Sequence, residues 1–405
     1  MNSSSGQESH TSPRIAGGAD VYHQRFEVRF DYPAHFARNV LATGDPLLAS
    51  VFDRLDERRV HRAAVFVDSG LAEARGEIIA EIKEYFHAHS KTLELAWGPT
   101  VVPGGEGAKN GWEAIRDILW TAGNIHLDRQ SYVLAIGGGA MIDAVGFAAS
   151  LVHRGVRVIR MPTTVLAQND AGVGVKTGMD EHGQKNFIGT FAPPFAVVND
   201  FSMLETLSDR DWTGGIAEAF KVAIIKDADF FEFLCASAAA LKNRDAETME
   251  TLIRRCAIIH LDHISSAGDP FETGSARPLD FGHWSAHKIE TMSDYWVGHG
   301  QAVAVGIAVD SYYAMRKGLI TPQQYERILD GMTACGLPIY LDYLSRQTGG
   351  ELDIFAGLDD FREHLGGRLN VTLPKTLGTK CEVHYLDREI ITDAIGYLRT
   401  RSKTK

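Results

Sequence analysis

From about Arg62 onward, short β-branched runs alternate with stretches of helical period. Residues 63–67 (Ala-Ala-Val-Phe-Val) precede a periodic segment over 72–87, and residues 132–136 (Tyr-Val-Leu-Ala-Ile) precede another. Short apolar runs set between helical periods are strands buried on both faces, so the rhythm predicts a parallel α/β sheet. Residues 156–161 and 195–199 add further strands, and residues 187–194 read as loop. Beyond Thr206 the pattern becomes helical, over 214–225, 229–241, 247–265, 281–291 and 303–316. The expected organisation is therefore an α/β domain over residues 21–205 and a mainly helical domain over 206–405, with the active cleft between them. Pro338 and the pairs Gly349-Gly350 and Gly366-Gly367 mark loops in the last part.

Length and composition agree with this picture. The 405 residues exceed a single domain of about 150. A hydrophobic share of 44% and a charged share of 23% are those of a globular protein. The formal net charge of -11 argues against a general nucleic-acid surface, so any bound phosphate must meet a local basic pocket. Cys235, Cys256, Cys335 and Cys381 are widely separated and form no CxxC pair, which fits a reducing cytoplasm. Residues 1–20 are polar and lack the apolar core of a signal peptide, so a disordered leader is expected there. The longest apolar stretch, residues 132–152, carries three consecutive glycines and Asp143, which would be costly in a membrane.

Several residues carry candidate chemistry. Gly137-Gly138-Gly139 follows a strand and opens a helical pattern, which points backbone N–H groups at a place where a pyrophosphate can bind; a tight turn is the plainer alternative. Asp68 ends the preceding strand, as a ribose ligand or a helix N-cap. Thr163 and Thr164 also follow a strand end. His283 and His287 share one helical face and His299 lies close by, so they suggest either a divalent metal site or satisfied core histidines. Glu218 and Lys221, at i and i+3, are a metal ligand beside a substrate contact or an ordinary ion pair. Lys176 and Lys185-Asn186 sit in glycine-flanked segments where amine and backbone can approach a phosphate together.

Taken in order, these segments resemble the sugar phosphate cyclases, the family of 3-dehydroquinate synthase. The matching stretches are Pro103-Gly104-Gly105-Glu106-Gly107-Ala108-Lys109, the Gly137 to Asp143 turn, Pro162-Thr163-Thr164, residues 170–178, 185–189 and 217–221, and Phe281-Gly282-His283. The resemblance implies a Rossmann-like parallel α/β domain followed by a helical domain, as in dehydroquinate synthase. It implies a metal, zinc or cobalt, on Glu218, His283 and His299. It implies NAD against Asp68, Glu106, Lys109, Gly138, Gly139, Asp143, Thr163, Thr164, Asp170, Lys185, Thr206 and Leu207. Lys176, Asn186, His287 and Arg154 would meet the substrate phosphate, Arg154 from a neighbouring subunit of a homodimer. Lys221, Asp170 and Lys176 would be the catalytic side chains. The family's reaction oxidises a ring hydroxyl with NAD, eliminates phosphate, returns the hydride and closes a carbocycle.

Departures bear on the substrate. Where the dehydroquinate branch carries an arginine and an asparagine, this chain has Ala276, beside Arg277, and Asp280; Asp262 stands where that branch has a lysine. A substrate carboxylate would meet unfavourable charge there. Residues 277–280 and 361–367, including His364, are similar to the branch that cyclises sedoheptulose 7-phosphate to 2-epi-5-epi-valiolone, whereas His287 is kept as in dehydroquinate synthase. The expectation is a cyclase of a heptulose phosphate, sedoheptulose 7-phosphate, with Asp280 and His364 at its head group. The alternatives are 3-dehydroquinate synthase, a metal-dependent polyol dehydrogenase of the same two-domain plan, and a non-catalytic NAD-binding protein.

Overall fold

The computed structural model describes residues 23–182, 184–266, 271, 278–364 and 366–403. The expected leader, Ala276, Arg277 and the side chain of His364 lie outside the described residues. Residues 23–31 run without helix or strand, and residues 32–405 form one compact unit.

That unit holds a six-stranded parallel sheet in the order β1 (Ala34–Ala37), β8 (Ala196–Asp200), β5 (Arg157–Pro162), β4 (Tyr132–Gly137), β2 (His61–Asp68), β3 (Leu93–Val102). The continuous apolar runs occupy its centre because both faces are covered. Val65, Leu134 and Ile159 pack with Ile78, Ile82 and Tyr85 on one face, while Phe66, Ala135 and Val158 pack with Ile118, Ile142 and Val145 on the other. The register pairs Val67 with Ile136 and Gly137 with Pro162. The ends of β2, β4 and β5 therefore lie side by side, where ligands collect in such sheets.

Three expected spans are corrected. The helical period over 72–87 breaks at Gly76 into α2 (Ser69–Ala74) and α3 (Ile78–Ala88), and that over 229–241 breaks at Ser237 into α7 (Ala228–Ala236) and α8 (Ala238–Lys242). Residues 187–194, read as loop, hold most of β7 (Gln184–Phe191), which pairs antiparallel with β6 (Lys176–Glu181). The hairpin stands off the sheet with much of β7 exposed, so no buried apolar run announces it.

The later half is mainly helical. α6 (Asp209–Lys226) and α11 (His299–Arg316) are buried along most of their length, and α10 (His283–Met292) packs against α11. A Cβ on Gly300 would collide with the backbone of Gly214, and one on Gly306 with the carbonyl of Gly282. These two glycines let α11 lie in backbone contact with α6 and with the start of α10. Among the described residues, no helix is long and apolar enough to cross a membrane.

Candidate active site

The sheet contributes one wall. Gly138 caps α5 (Gly139–Leu151), so the first N–H groups of that helix lack intrahelical partners and face the strand ends. Asp68 accepts from Gly70 N at 2.8 Å and Leu71 N at 3.4 Å as the cap of α2, and its other oxygen takes Gly138 N at 3.3 Å. The cap and the turn-side carboxylate are thus one residue. Thr163 N donates to Gly137 O at 3.0 Å, and the Thr164 methyl stands 3.5 Å from where a Gly138 Cβ would be. Thr206 and Leu207 follow β8, where Thr206 Oγ1 donates to Met203 O at 3.1 Å and Leu207 O accepts from Arg244 at 2.7 Å.

Beyond the turn lies a cavity of about 460 Å³ lined by Gly139 and Asp143, by Lys176, Asn186 and Lys221, and by His283, His287 and His299. Lys109 is buried against it, donating to Asp143 at 2.8 Å and to Asn186 Oδ1. Asn186 takes a left-handed φ of 54° and donates its N–H to Asp180 at 2.8 Å; asparagine tolerates that conformation better than most residues. Lys185 donates to Glu106 at 3.1 Å and to Glu290 at 2.6 Å. Burial works against its charge, but Glu290 and Glu106 outweigh it and raise its pKa. Lys176 is exposed on the hairpin at the rim. Arg154 is exposed after α5 and does not line this cavity.

Glu218 on α6, His283 at the start of α10 and His299 at the start of α11 offer ligand atoms that all lie within 4.8 Å of one another. His283 Nε2 is 3.8 Å and His299 Nε2 is 3.4 Å from Glu218 Oε1. On the far side of each ring, Nδ1 meets an acceptor: Phe281 O at 3.0 Å for His283 and Glu290 Oε2 at 3.1 Å for His299. An acceptor at Nδ1 places a proton there, so Nε2 is the nitrogen of each ring that faces Glu218 and would be offered to a metal. Burial opposes a charge on His299, but Glu290 and Glu218 outweigh it and raise its pKa to about 10. The fully buried Glu218 carboxylate thus turns Oε1 toward both imidazoles and Oε2 toward Lys221. Two imidazole nitrogens and a carboxylate converging on one place suit a divalent cation such as zinc or cobalt.

Beside this cluster, Lys221 Nζ stands 2.5 Å from Glu218 Oε2 and 3.2 Å from Asp170. Burial opposes its charge, but Asp170 and Glu218 hold it protonated. Burial, reinforced by His283, keeps His287 neutral by lowering its pKa well below the usual histidine range. Asp280 lines the cavity as expected. Asp262 does not: it is exposed, and α9 (Ala246–Ser266) turns His260, His263 and Ile264 inward instead. The expectation for Asp262 rested on the family resemblance alone, whereas the rotation of α9 decides which of its side chains reach the pocket. His260 Nδ1 stands 2.7 Å from Asp170. Its i, i+3, i+4 spacing with His263 and Ile264 was the available signal. Sequence reading also missed Arg160, fully buried, whose guanidinium donates to the carbonyls of Gly172, Gly174, Lys176 and Ala192 at 2.7–3.4 Å and so fixes the loop between Asp170 and Lys176.

Fold and site together define an α/β enzyme with a dinucleotide-type turn facing a histidine–carboxylate cluster. Two sequence models match: 3-dehydroquinate synthase N-terminal over residues 99–214 and 3-dehydroquinate synthase C-terminal over residues 215–352. A 2-epi-valiolone synthase of Actinosynnema mirum is 33% identical over 98% of this chain and 100% of its own length. A 3-dehydroquinate synthase of Nitrosospira multiformis is 33% identical over 87% of this chain and 90% of its own. The structure of a 2-epi-5-epi-valiolone synthase from Streptomyces hygroscopicus with NAD+ and Zn2+ bound superposes with a TM-score of 0.83 at 28% identity, covering 94% of this chain and all of that one. The chain belongs to the 3-dehydroquinate synthase family of sugar phosphate cyclases.

Proposed function

We propose that this enzyme converts a heptulose phosphate, sedoheptulose 7-phosphate, into a cyclitol of the valiolone type, with NAD on the glycine turn and zinc or cobalt on Glu218, His283 and His299. The observation that carries the reading is that Gly139 of the turn, the basic side chains, and His283 and His299 line a single cavity, with Glu218 within 4.8 Å of those two histidines. When bound, NAD supplies a transient oxidation of a substrate hydroxyl and the metal polarises substrate oxygens. Asp68, Glu106, Lys109, Asp143, Thr163, Thr164, Asp170, Lys185, Thr206 and Leu207 take the cofactor side, and residues 21–205 and 206–405 act as the two domains that enclose it.

The chain's own residues then divide the remaining work. Lys176 and Asn186, with neutral His287, hold the phosphate by charge-assisted bonds, and Arg154 of the partner subunit in a homodimer completes that end. Lys221 stays protonated between Asp170 and Glu218, so it donates to substrate hydroxyls rather than removing protons. Asp280 and His364 accept from a neutral polyol head. A carboxylate placed beside Asp280 without a cation costs several kcal/mol once water is excluded, on the order of a hundredfold in rate. Relatives named as valiolone-type synthases, in sequence and in structure, support the neutral-headed substrate.

The test incubates the protein with NAD+, Zn2+ or Co2+ and either sedoheptulose 7-phosphate or the carboxylated heptulosonate phosphate, and follows phosphate release, NADH and product by NMR. Faster phosphate release from sedoheptulose 7-phosphate without accumulating NADH is expected. Faster turnover of the carboxylated sugar would restore 3-dehydroquinate synthase. Stoichiometric NADH would make the enzyme a polyol dehydrogenase.

A further inference from the structure

A buried chain of side chains joins the cofactor side of the cavity to the histidine–carboxylate cluster. Lys185 Nζ donates to Glu106 Oε2 at 3.1 Å and to Glu290 Oε1 at 2.6 Å. The other oxygen of Glu290 lies 3.1 Å from His299 Nδ1, and His299 Nε2 faces Glu218 Oε1 at 3.4 Å. The Glu290 side chain is 0% exposed and that of Lys185 8%. His287, Glu290 and His299 also group within 4.8 Å as three potential ligands. Yet both Glu290 oxygens are already engaged, one by an ammonium and one by an imidazole N–H, so this set orients a ring rather than holding a second ion.

Resting on the function proposed above, we propose that Glu290 is a positioning residue that couples the metal and cofactor sites, so that filling either one tightens binding at the other. Its carboxylate fixes the His299 proton on Nδ1 and adds electron density to Nε2, as carboxylates behind metal-bound histidines do. Lys185 draws that density away. When cofactor hydroxyls engage Glu106 and Lys185, the hold of Lys185 on Glu290 loosens and more of the carboxylate's charge reaches the ring. By linkage, the metal must tighten the cofactor by the same factor.

The test titrates Co2+ into chelator-treated full-length protein, with and without NAD+, read by visible absorption of the bound ion. NAD+ should lower the Co2+ dissociation constant of the wild type at least about fivefold. Glu290→Gln should weaken Co2+ by about 10–100-fold and abolish the NAD+ effect, with the metal-free melting temperature confirming that it folds. Glu106→Gln, which leaves the Glu290–His299 bond in place but gives Lys185 wholly to Glu290, should weaken Co2+ less than Glu290→Gln does and shrink the NAD+ effect when both variants are measured at saturating NAD+. Equal Co2+ affinity with and without NAD+ in the wild type, or wild-type Co2+ binding by Glu290→Gln, overturns the proposal. A wild type that binds both ligands independently sinks the coupling alone; one that binds neither sinks the assigned function as well.

Discussion

The two walls of the candidate site are assembled in opposite ways. On the sheet side, Asp68, Gly138 and Thr163 come from the ends of adjacent parallel strands, and the register of β2, β4 and β5 alone brings them together. On the helical side, Glu218, His283 and His299 come from three helices whose convergence depends on backbone contact at Gly300–Gly214 and Gly306–Gly282. Strand ends are set by a ladder of many hydrogen bonds, which averages out local change. A helix crossing is set by a few close contacts, so one methyl group can move a ligand. The sheet wall should therefore tolerate substitution better than the helical wall.

The largest expected effect breaks the helical wall directly. Glu218→Gln should lose tightly bound metal and lower kcat/KM by at least about a thousandfold, about 4 kcal/mol, with the sheet half still folded by circular dichroism. Full metal content in that variant would remove Glu218 from the ligand set.

Next in size is Asp310, which the sequence reading did not single out. It is buried in α11 and accepts from Gly282 N at 3.0 Å and Trp284 Nε1 at 2.7 Å, on either side of His283. Burial pushes its carboxyl up to about 7. The unfolded chain releases that proton near pH 4, so the folded state binds more protons in between. Stability from this group is thus fully present below about pH 4 and lost as pH rises through about 7, by about 4 kcal/mol at most. Melting temperatures measured from pH 4 to 8 should fall less steeply for Asp310→Asn than for the wild type. Parallel profiles would show that Asp310 is already ionised in the fold.

Gly300→Ala tests the crossing itself. The added methyl meets the Gly214 backbone, and overpacking of this kind costs about 1–3 kcal/mol. A lower melting temperature together with weaker Co2+ binding is expected. Tight Co2+ binding by a destabilised Gly300→Ala would show that the ligands adjust independently of the crossing.

The smallest effect belongs to the sheet wall. Asp68→Ala removes the cap of α2, about 1 kcal/mol, and should weaken NAD+ by about tenfold, or 1.4 kcal/mol, with metal affinity measured in the absence of NAD+ unchanged. A loss of NAD+ affinity as severe as the metal loss in Glu218→Gln would erase the difference between the two walls.

The sequence by itself determined the parallel sheet and the turn, because both are written locally. Apolar runs such as Tyr132–Gly137 must be buried on both faces, and Gly138 followed by a helical period must cap that helix. It also determined which residue types were present for a metal, although the link among Glu218, His283 and His299 came from the family resemblance rather than from spacing. What only the tertiary structure decided is how side chains distant in sequence meet. No local pattern says that Lys185 spends its charge on Glu106 and Glu290, or that Arg160 ties down the loop carrying Lys176. The physical reason is that burial and helix rotation are fixed by packing over the whole unit. A charge becomes a ligand, a strut or a solvated side chain according to which partners that packing sets within about 3 Å of it.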